Sequence, residues 1–290
     1  MIDTKYTYAV ARIRALETSL LNSAVIEQLM ACQTDVQCLQ LLQEKGWGDA
    51  DTPENAEAIL SREQEKIWET IRDLGVDMSV FDVLSYPNLF HNLKAAIKDA
   101  CTSESGKHLN IYYEDTSISP DEMLEIVRSK DFSRLPKIMS EAAKDSIIKE
   151  YAESTVAIAD IKIAVRAQKT AKSMEFMKHA MAECESLSVT QLAKAAVSGM
   201  DAIVEYLSQT EYAEGGRAIA ESASAFERWC DNRMMQTMQP QKYQSFSVGP
   251  LVAYVLAREN EIKTVRIIVS GKRSGLSDDS IRERVREMYV

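Results

Sequence analysis

Apolar residues recur at helical spacing along nearly the whole chain. In "YAVARIRALETSLL" (8–21), Ala9, Ile13, Leu16 and Leu20 fall at steps of four, three and four, one face of a helix. Thr34 followed by Gln37 has the form of a capping box and predicts a second helix, ended by Gly46. Thr52 with Pro53 predicts the start of a third, running to about Leu74 and stopped by Gly75, since a proline at the first helical position lacks only an N–H that would have no partner there. "NLFHNLKAAIKDAC" (88–101) predicts a shorter helix, and "HLNIYYED" (108–115) gives a weak hint of a strand. Residues 135–184 hold one proline and no glycine, a helical tract too long for one ordinary helix, with a break expected near 151–160. Further helices are predicted from Val189, over about 217–235, over 250–270 and from Asp278, and the polar "QTMQPQKYQSFSVG" (236–249) reads as a loop.

One local design occurs three times, in "SISPDEML", "SLSVTQLA" and "GLSDDSIR". Ile118, Leu187 and Leu276 each precede a serine (Ser119, Ser188, Ser277), and Met123, Leu192 and Ile281 follow four residues after it. This is a hydrophobic staple around a serine N-cap, with Glu122 and Gln191 completing capping boxes and Ser280 in the weaker third place. Upstream of each cap an apolar helix carries a basic residue, Lys94, Lys162 or Arg266. The caps lie 69 and 89 residues apart, too irregular for a solenoid and suited to three related helical lobes, although staples are common enough in helical proteins for three to coincide.

The helix over 250–270 carries a stripe of Leu251, Val255, Ile262, Val265 and Val269, while Ala253, Leu256 and Ile267 lie on other faces, so burial on more than one side is expected. Arg258 falls inside the stripe. A cation there needs a partner, because an unpaired buried charge is very costly. Glu261 is within one turn, and an acid from another helix is the alternative. Glu259 with Lys263 has the favourable order for an i, i+4 surface pair.

Composition agrees with helix: only 10 Gly and 6 Pro occur among 290 residues. The net charge of −10 disfavours nucleic acid or anionic lipid as the main partner, although 258–286 holds eight basic and five acidic residues. Five cysteines without a C-x-x-C pair, beside three histidines, leave little for a zinc site and fit reduced thiols in a cytosolic protein. No signal peptide or membrane-spanning run is expected, the longest strongly apolar run being "LVAYVLA" (251–257). "SGKRSG" has a Gly-Lys pair, but Arg266 stands where a P-loop needs its first glycine and Arg273 follows Lys272 instead of a hydroxyl. Gly271 and Gly275 read instead as helix-ending residues. "DADTPEN" shares only its first two acids with a calcium loop, and Glu175 with His179 is a lone pair on one helix face. No nucleophile–base constellation, nucleotide site, cofactor site or metal site emerges, so catalytic residues are expected to be none.

The C-terminal third, "GPLVAYVLARENEIKTVRIIVSGKRSGLSDDSIRERVREMYV", strongly resembles the end of the C subunit of V/A-type rotary ATPases, the relative of the eukaryotic vacuolar d subunit. Pro250, Leu251, Tyr254, Arg258, Glu259, Glu261, Arg266, Gly271, Lys272, Arg282, Glu283, Arg284, Arg286 and Tyr289 match that pattern. The likeness extends to "YAVARIRALETSLL" with Arg12 and Arg14, to "HNLKAAIK" and to "IKIAVRAQKTAKSMEF". Gly249 departs from it, standing where the family has glutamate before the proline.

The resemblance implies an all-α, funnel-like fold of three related lobes with pseudo-threefold symmetry, here about 1–130, 131–200 and 201–290. It implies a non-catalytic rotor subunit on the cytoplasmic face of the membrane. There it forms a socket between the central-stalk subunits and the membrane rotor ring, with ATP-linked H+ or Na+ transport and no bound cofactor. Candidate partner-interface or structural residues are Arg12, Arg14, Lys94, Arg258, Glu259, Arg266, Lys272 and Arg284, each either facing a partner or paired within the chain. A helical adaptor outside any motor is the second reading, and an enzyme using "GKRSG" for phosphate the third.

Overall fold

Helix α1 (Thr7–Glu17) buries Ala9, Val10 and Ile13, so the face read from the sequence is the face that packs, and Leu20 is buried just beyond its end. The computed structural model describes residues 6–81, 84, 118–129, 146–181 and 184–290, and among them every regular element is helical. The predicted short helix over 88–101 and the hinted strand over 108–115 lie outside the described residues. The chain divides into two compact units, Met1–Val76 with Glu150–Val290, and Asp77–Lys149.

In the larger unit α2 (Ser23–Ala31) follows α1, and the sequence reading lacked it. Its cap is local, Asn22 Oδ1 accepting the Val25 amide at 3.1 Å, and nine residues give too few periods for the pattern to stand out. α3 (Asp35–Glu44) begins as expected at Thr34, whose hydroxyl accepts the Gln37 amide, while the Gln37 side chain accepts the Gln33 amide at 2.8 Å. Gly46 follows it in the left-handed region at φ +84°.

α4 (Ala56–Asp73) is capped by Asn55 and not by Thr52. The Thr52 hydroxyl is already engaged by the Asp49 amide at 2.9 Å, which leaves the equally good Asn55 side chain to accept the Ala58 amide at 2.9 Å. The described elements of the smaller unit are a 3-10 turn (Met78–Phe81) and α5 (Pro120–Ser129).

α6 (Ser146–Lys169) runs through 151–160 unbroken, against expectation. No glycine or proline interrupts it there, and Tyr151, Ala157 and Ile158 are buried, so packing favours continuity. The chain turns instead at 170–173, where Ala171 takes φ 49° and Ser173 caps α7 (Met174–Ala180). Next come α8 (Val189–Ser198), α9 (Met200–Ser208), α10 (Ala213–Glu221) and α11 (Ala223–Met238). The tract read as one helix over 217–235 is therefore two, parted at Ser222, whose side chain caps α11, and α9 was not anticipated. These helices enclose one core that includes Ile161, Met177, Leu192, Leu207 and Phe226. Part of the loop over 236–249 forms a 3-10 turn (Gln239–Tyr243), before α12 (Gly249–Arg273) and α13 (Asp278–Arg282).

The three serine caps all form: Ser119, Ser188 and Ser277 accept the amides of Glu122, Gln191 and Ser280 at 3.3, 3.4 and 3.3 Å. At two of them both staple positions are buried, Ile118 with Met123 and Leu187 with Leu192. At the third, Leu276 is 40% exposed and only Ile281 is buried. The second capping box is replaced, because the Ser188 amide donates to the Tyr206 hydroxyl at 2.9 Å.

Candidate functional site

α12 is enclosed on nearly every side, with α1, α3, α4, α11 and α13 packed against it. The predicted stripe of Leu251, Val255, Ile262, Val265 and Val269 is buried, and so are Ala253 and Ala257 on other faces. Arg258 lies within this apolar surface. Its guanidinium donates to the carboxylates of Glu261, one turn on, and of Glu63 on α4, and its centre stands 5.2 Å from the centroid of the Trp47 ring. Both partners considered from the sequence are therefore used.

Each acid turns its other oxygen to the backbone. Glu63 accepts the Gly48 amide at 2.8 Å, in the α3–α4 loop, and Glu261 accepts the Leu21 amide between α1 and α2. Lys66 Nζ adds a bond to Glu63 at 2.8 Å and one to the Gly48 carbonyl at 2.7 Å. Burial opposes the charge on Arg258, but the Glu261 and Glu63 carboxylates outweigh it and hold its pKa above the usual value. Arg258, Glu63 and Glu261 thus form a buried cluster, with half-buried Lys66 at its rim, that ties α12 to α4 and to two loops. Burial pushes the Glu261 carboxyl up to about 7, although Arg258 and the Leu21 amide oppose the rise. A cavity of about 450 Å³ opens beside it, lined by Leu16, Trp47, Glu63, Lys66, Tyr254 and Arg258.

Sequence reasoning missed Glu63, although the signal was present. Ile59, Ile67 and Ile71 are buried on α4 at steps of four around it, so Glu63 is an acid inside an apolar stripe, as Arg258 is a cation inside one.

The other nominated residues do not gather in one place. Arg12 stands 3.7 Å from Asp73, with both side chains well exposed. Arg14 binds Glu17 through one amino group and the carbonyls of Gln241 and Gln244, at 2.6 and 2.8 Å, through the other, which clamps the 3-10 turn before α12. Arg266 bonds Glu57 at 2.7 Å on an exposed face, as the comparable Lys162 bonds Glu227 at 2.8 Å. Lys272 has a side chain only 6% exposed, its Nζ bonded to the Met30 carbonyl at 2.6 Å and to Asp278 at 2.7 Å. Arg284 is exposed, and Lys94 lies outside the described residues.

The expected Glu259–Lys263 pair is not formed. Lys263 pairs at 2.5 Å with Asp231 on α11, which also accepts Arg286 at 2.6 Å. Glu259 instead accepts the side-chain Nε2 of Gln64 at 3.5 Å, and burial pushes its carboxyl up to about 7. Gly271 does not end α12 either. A Cβ there would lie 2.6 Å from Ile281 Cγ1, so the bare glycine admits α13, while Gly275 at φ +67° makes the turn.

The last residues are sewn to the helices beneath them. Asn260 donates to the Glu287 carbonyl at 2.8 Å, the Glu287 amide donates to Asn232 at 3.0 Å, and Lys242 lies 4.8 Å from the Tyr289 ring centroid. Among the described residues no three His, Cys, Asp or Glu side chains gather as a metal ion would need, and no helix is long and apolar enough to cross a membrane. What this arrangement offers chemically is rigidity, charge pairs that fix the angles between helices and loops.

The model of the family described as ATP synthase (C/AC39) subunit matches residues 9–145 and 139–284. The chain is 20% identical over 274 residues to the V-type sodium ATPase C subunit of Enterococcus hirae, covering 80% of this chain and 82% of that protein. It is 27% identical over 188 residues to the A-type ATP synthase C subunit of Halorubrum lacusprofundi, covering 60% of this chain and 51% of that protein. Over 161 residues it is 24% identical to the A-type ATP synthase C subunit of Methanocaldococcus jannaschii, covering 50% of this chain and 39% of that protein.

Proposed function

Because the chain belongs to the ATP synthase (C/AC39) subunit family, we propose that it is the non-catalytic rotor subunit that joins the central stalk of a V/A-type ATPase to its membrane rotor ring. It sits peripherally on the cytoplasmic face, holds no cofactor, and passes torque for ATP-linked H+ or Na+ transport. The three serine caps support an organisation in three related lobes, one built around each.

The observation that carries this reading is the buried Arg258–Glu63–Glu261 cluster. A coupling element must keep its shape under load. Close-packed interiors have low compressibility, and a hydrogen-bonded buried ion cluster resists distortion because any displaced charge is left without a partner. A central helix packed against five neighbours suits such a part.

The proposal is tested by purifying the tagged chain from its native membrane. The other ATPase subunits should be recovered with it in fixed stoichiometry. Recovery of the chain without them, together with an intact ATPase that lacks it, would overturn the proposal and leave a free-standing helical adaptor.

A further inference from the structure

Cys32 stands at the end of α2, and Cys38 lies in the first turn of α3. Both thiols turn back onto one helix end. Cys32 Sγ donates to the Gln28 carbonyl at 3.4 Å, and Cys38 Sγ donates to the Leu29 carbonyl at 3.5 Å. Those carbonyls are neighbours in the last turn of α2, so the two sulfurs share one small volume. Access to them differs, since Cys38 is buried and Cys32 is half-buried. The C-terminal segment grips the same corner at three points: Lys272 bonds the Met30 carbonyl, Arg273 bonds Asp35 at 2.8 Å, and Arg282 bonds Glu27 at 2.5 Å.

We propose that Cys32 and Cys38 form a reversible disulfide site whose oxidant is a small-molecule disulfide. Cys32, the sulfur that solvent reaches, gives up its proton and attacks one sulfur of the reagent. The reagent's S–S bond breaks, one half leaves as a thiolate that takes up a proton, and Cys32 carries the other half as a mixed disulfide. Cys38 then loses its proton to water, and its sulfur attacks the Cys32 sulfur, expelling the second half as a thiol. Two protein thiols are oxidised to one disulfide while one small disulfide is reduced to two thiols, and excess thiol reverses the exchange. Burial pushes the Cys38 thiol up to about 12, with Cys32 beside it adding to the effect, which makes the second step the slow one. The bond would pin α2 to α3 at the corner that Lys272, Arg273 and Arg282 hold.

The full-length reduced chain, incubated with oxidised glutathione and then alkylated under denaturing conditions, reads this directly. Free thiols should fall from five to three. The tryptic peptide 15–45, which holds both cysteines, should become two hydrogens lighter. Cys38→Ser should instead retain glutathione as a stable adduct on Cys32. Should that variant fail to fold, Cys32→Ser serves in its place and should leave Cys38 unmodified. Five free thiols after oxidation, a wild-type chain that stops at the glutathione adduct, or a bond elsewhere with Cys32 and Cys38 still alkylated would each overturn the proposal.

Discussion

Arg258 on α12 and Glu63 on α4, 195 positions apart in the chain, form a buried ion pair whose acid also holds the Gly48 amide. Removing one member of a buried pair strands the others, which costs about 3–5 kcal/mol. Arg258→Met should therefore lower the urea midpoint by that equivalent, with Glu63 and Glu261 left facing each other. Adding Glu63→Leu and Glu261→Leu should recover only part of the loss, because an apolar replacement removes the stranded charges but leaves the Gly48 and Leu21 amides without their acceptors. A single variant as stable as the parent would remove the cluster from the account.

Gly271 and Ile281 set the approach of α13 to α12. Gly271→Ala forces its new methyl into Ile281 and should cost about 1–3 kcal/mol. A double-mutant cycle with Ile281→Ala should show a coupling that offsets part of this cost, since the smaller side chain clears the space. Simple additivity would mean that the two residues do not touch.

Gly249 precedes Pro250 at the start of α12, where the resemblance read from the sequence leads one to expect glutamate. A Cβ there would stand 1.8 Å from Gln241 Oε1, so the Gln241 side chain occupies the room that a side chain at 249 would need. Gly249→Glu should destabilise the chain by about 1–3 kcal/mol, and Gln241→Ala should relieve most of that penalty when combined with it. Thermal unfolding of the four proteins separates the terms.

The Glu259 carboxyl faces the side-chain amide of Gln64, and burial lifts its pKa to about 7 from the usual 4.5. The folded protein then binds a proton on this group that the unfolded chain releases at lower pH. Its stabilising contribution is complete below about pH 4.5 and is lost as pH rises through about 7, by at most roughly 3 kcal/mol. Glu259→Gln should shrink that limb of the stability profile measured by urea unfolding and leave the part due to Glu261, whose carboxyl burial also pushes up to about 7. An unchanged slope between those pH values would show that Glu259 is ionised in the folded state throughout.

The parts of the molecule legible in the sequence are those where one local rule decides the outcome. The three serine caps are set by hydrogen bonds within one turn, and all three form. Arg258 announced its need for acids because a cation in an apolar stripe has no other stable arrangement, and Glu63 could have been found by the same argument on α4. What the sequence did not reveal depends on competition across space. Lys263 takes Asp231 over Glu259 because Asp231 comes from another helix and already gathers Arg286. Gly271 looks like a helix terminus until Ile281 is seen against it, and Leu276 looks like a staple until Gly275 carries it outward. The nine-residue helices α2 and α9 are too short for periodicity to declare them.

The coupling of ATP hydrolysis to ion transport tests the rotor role of the chain. ATP hydrolysis and ATP-driven ion uptake can be measured on the same sealed membrane vesicles, with the chain present, depleted and added back. Depletion should abolish uptake while the catalytic head still hydrolyses ATP, and adding the chain back should restore the ions moved per ATP. Uptake per ATP that is unchanged in its absence would contradict the role assigned to it.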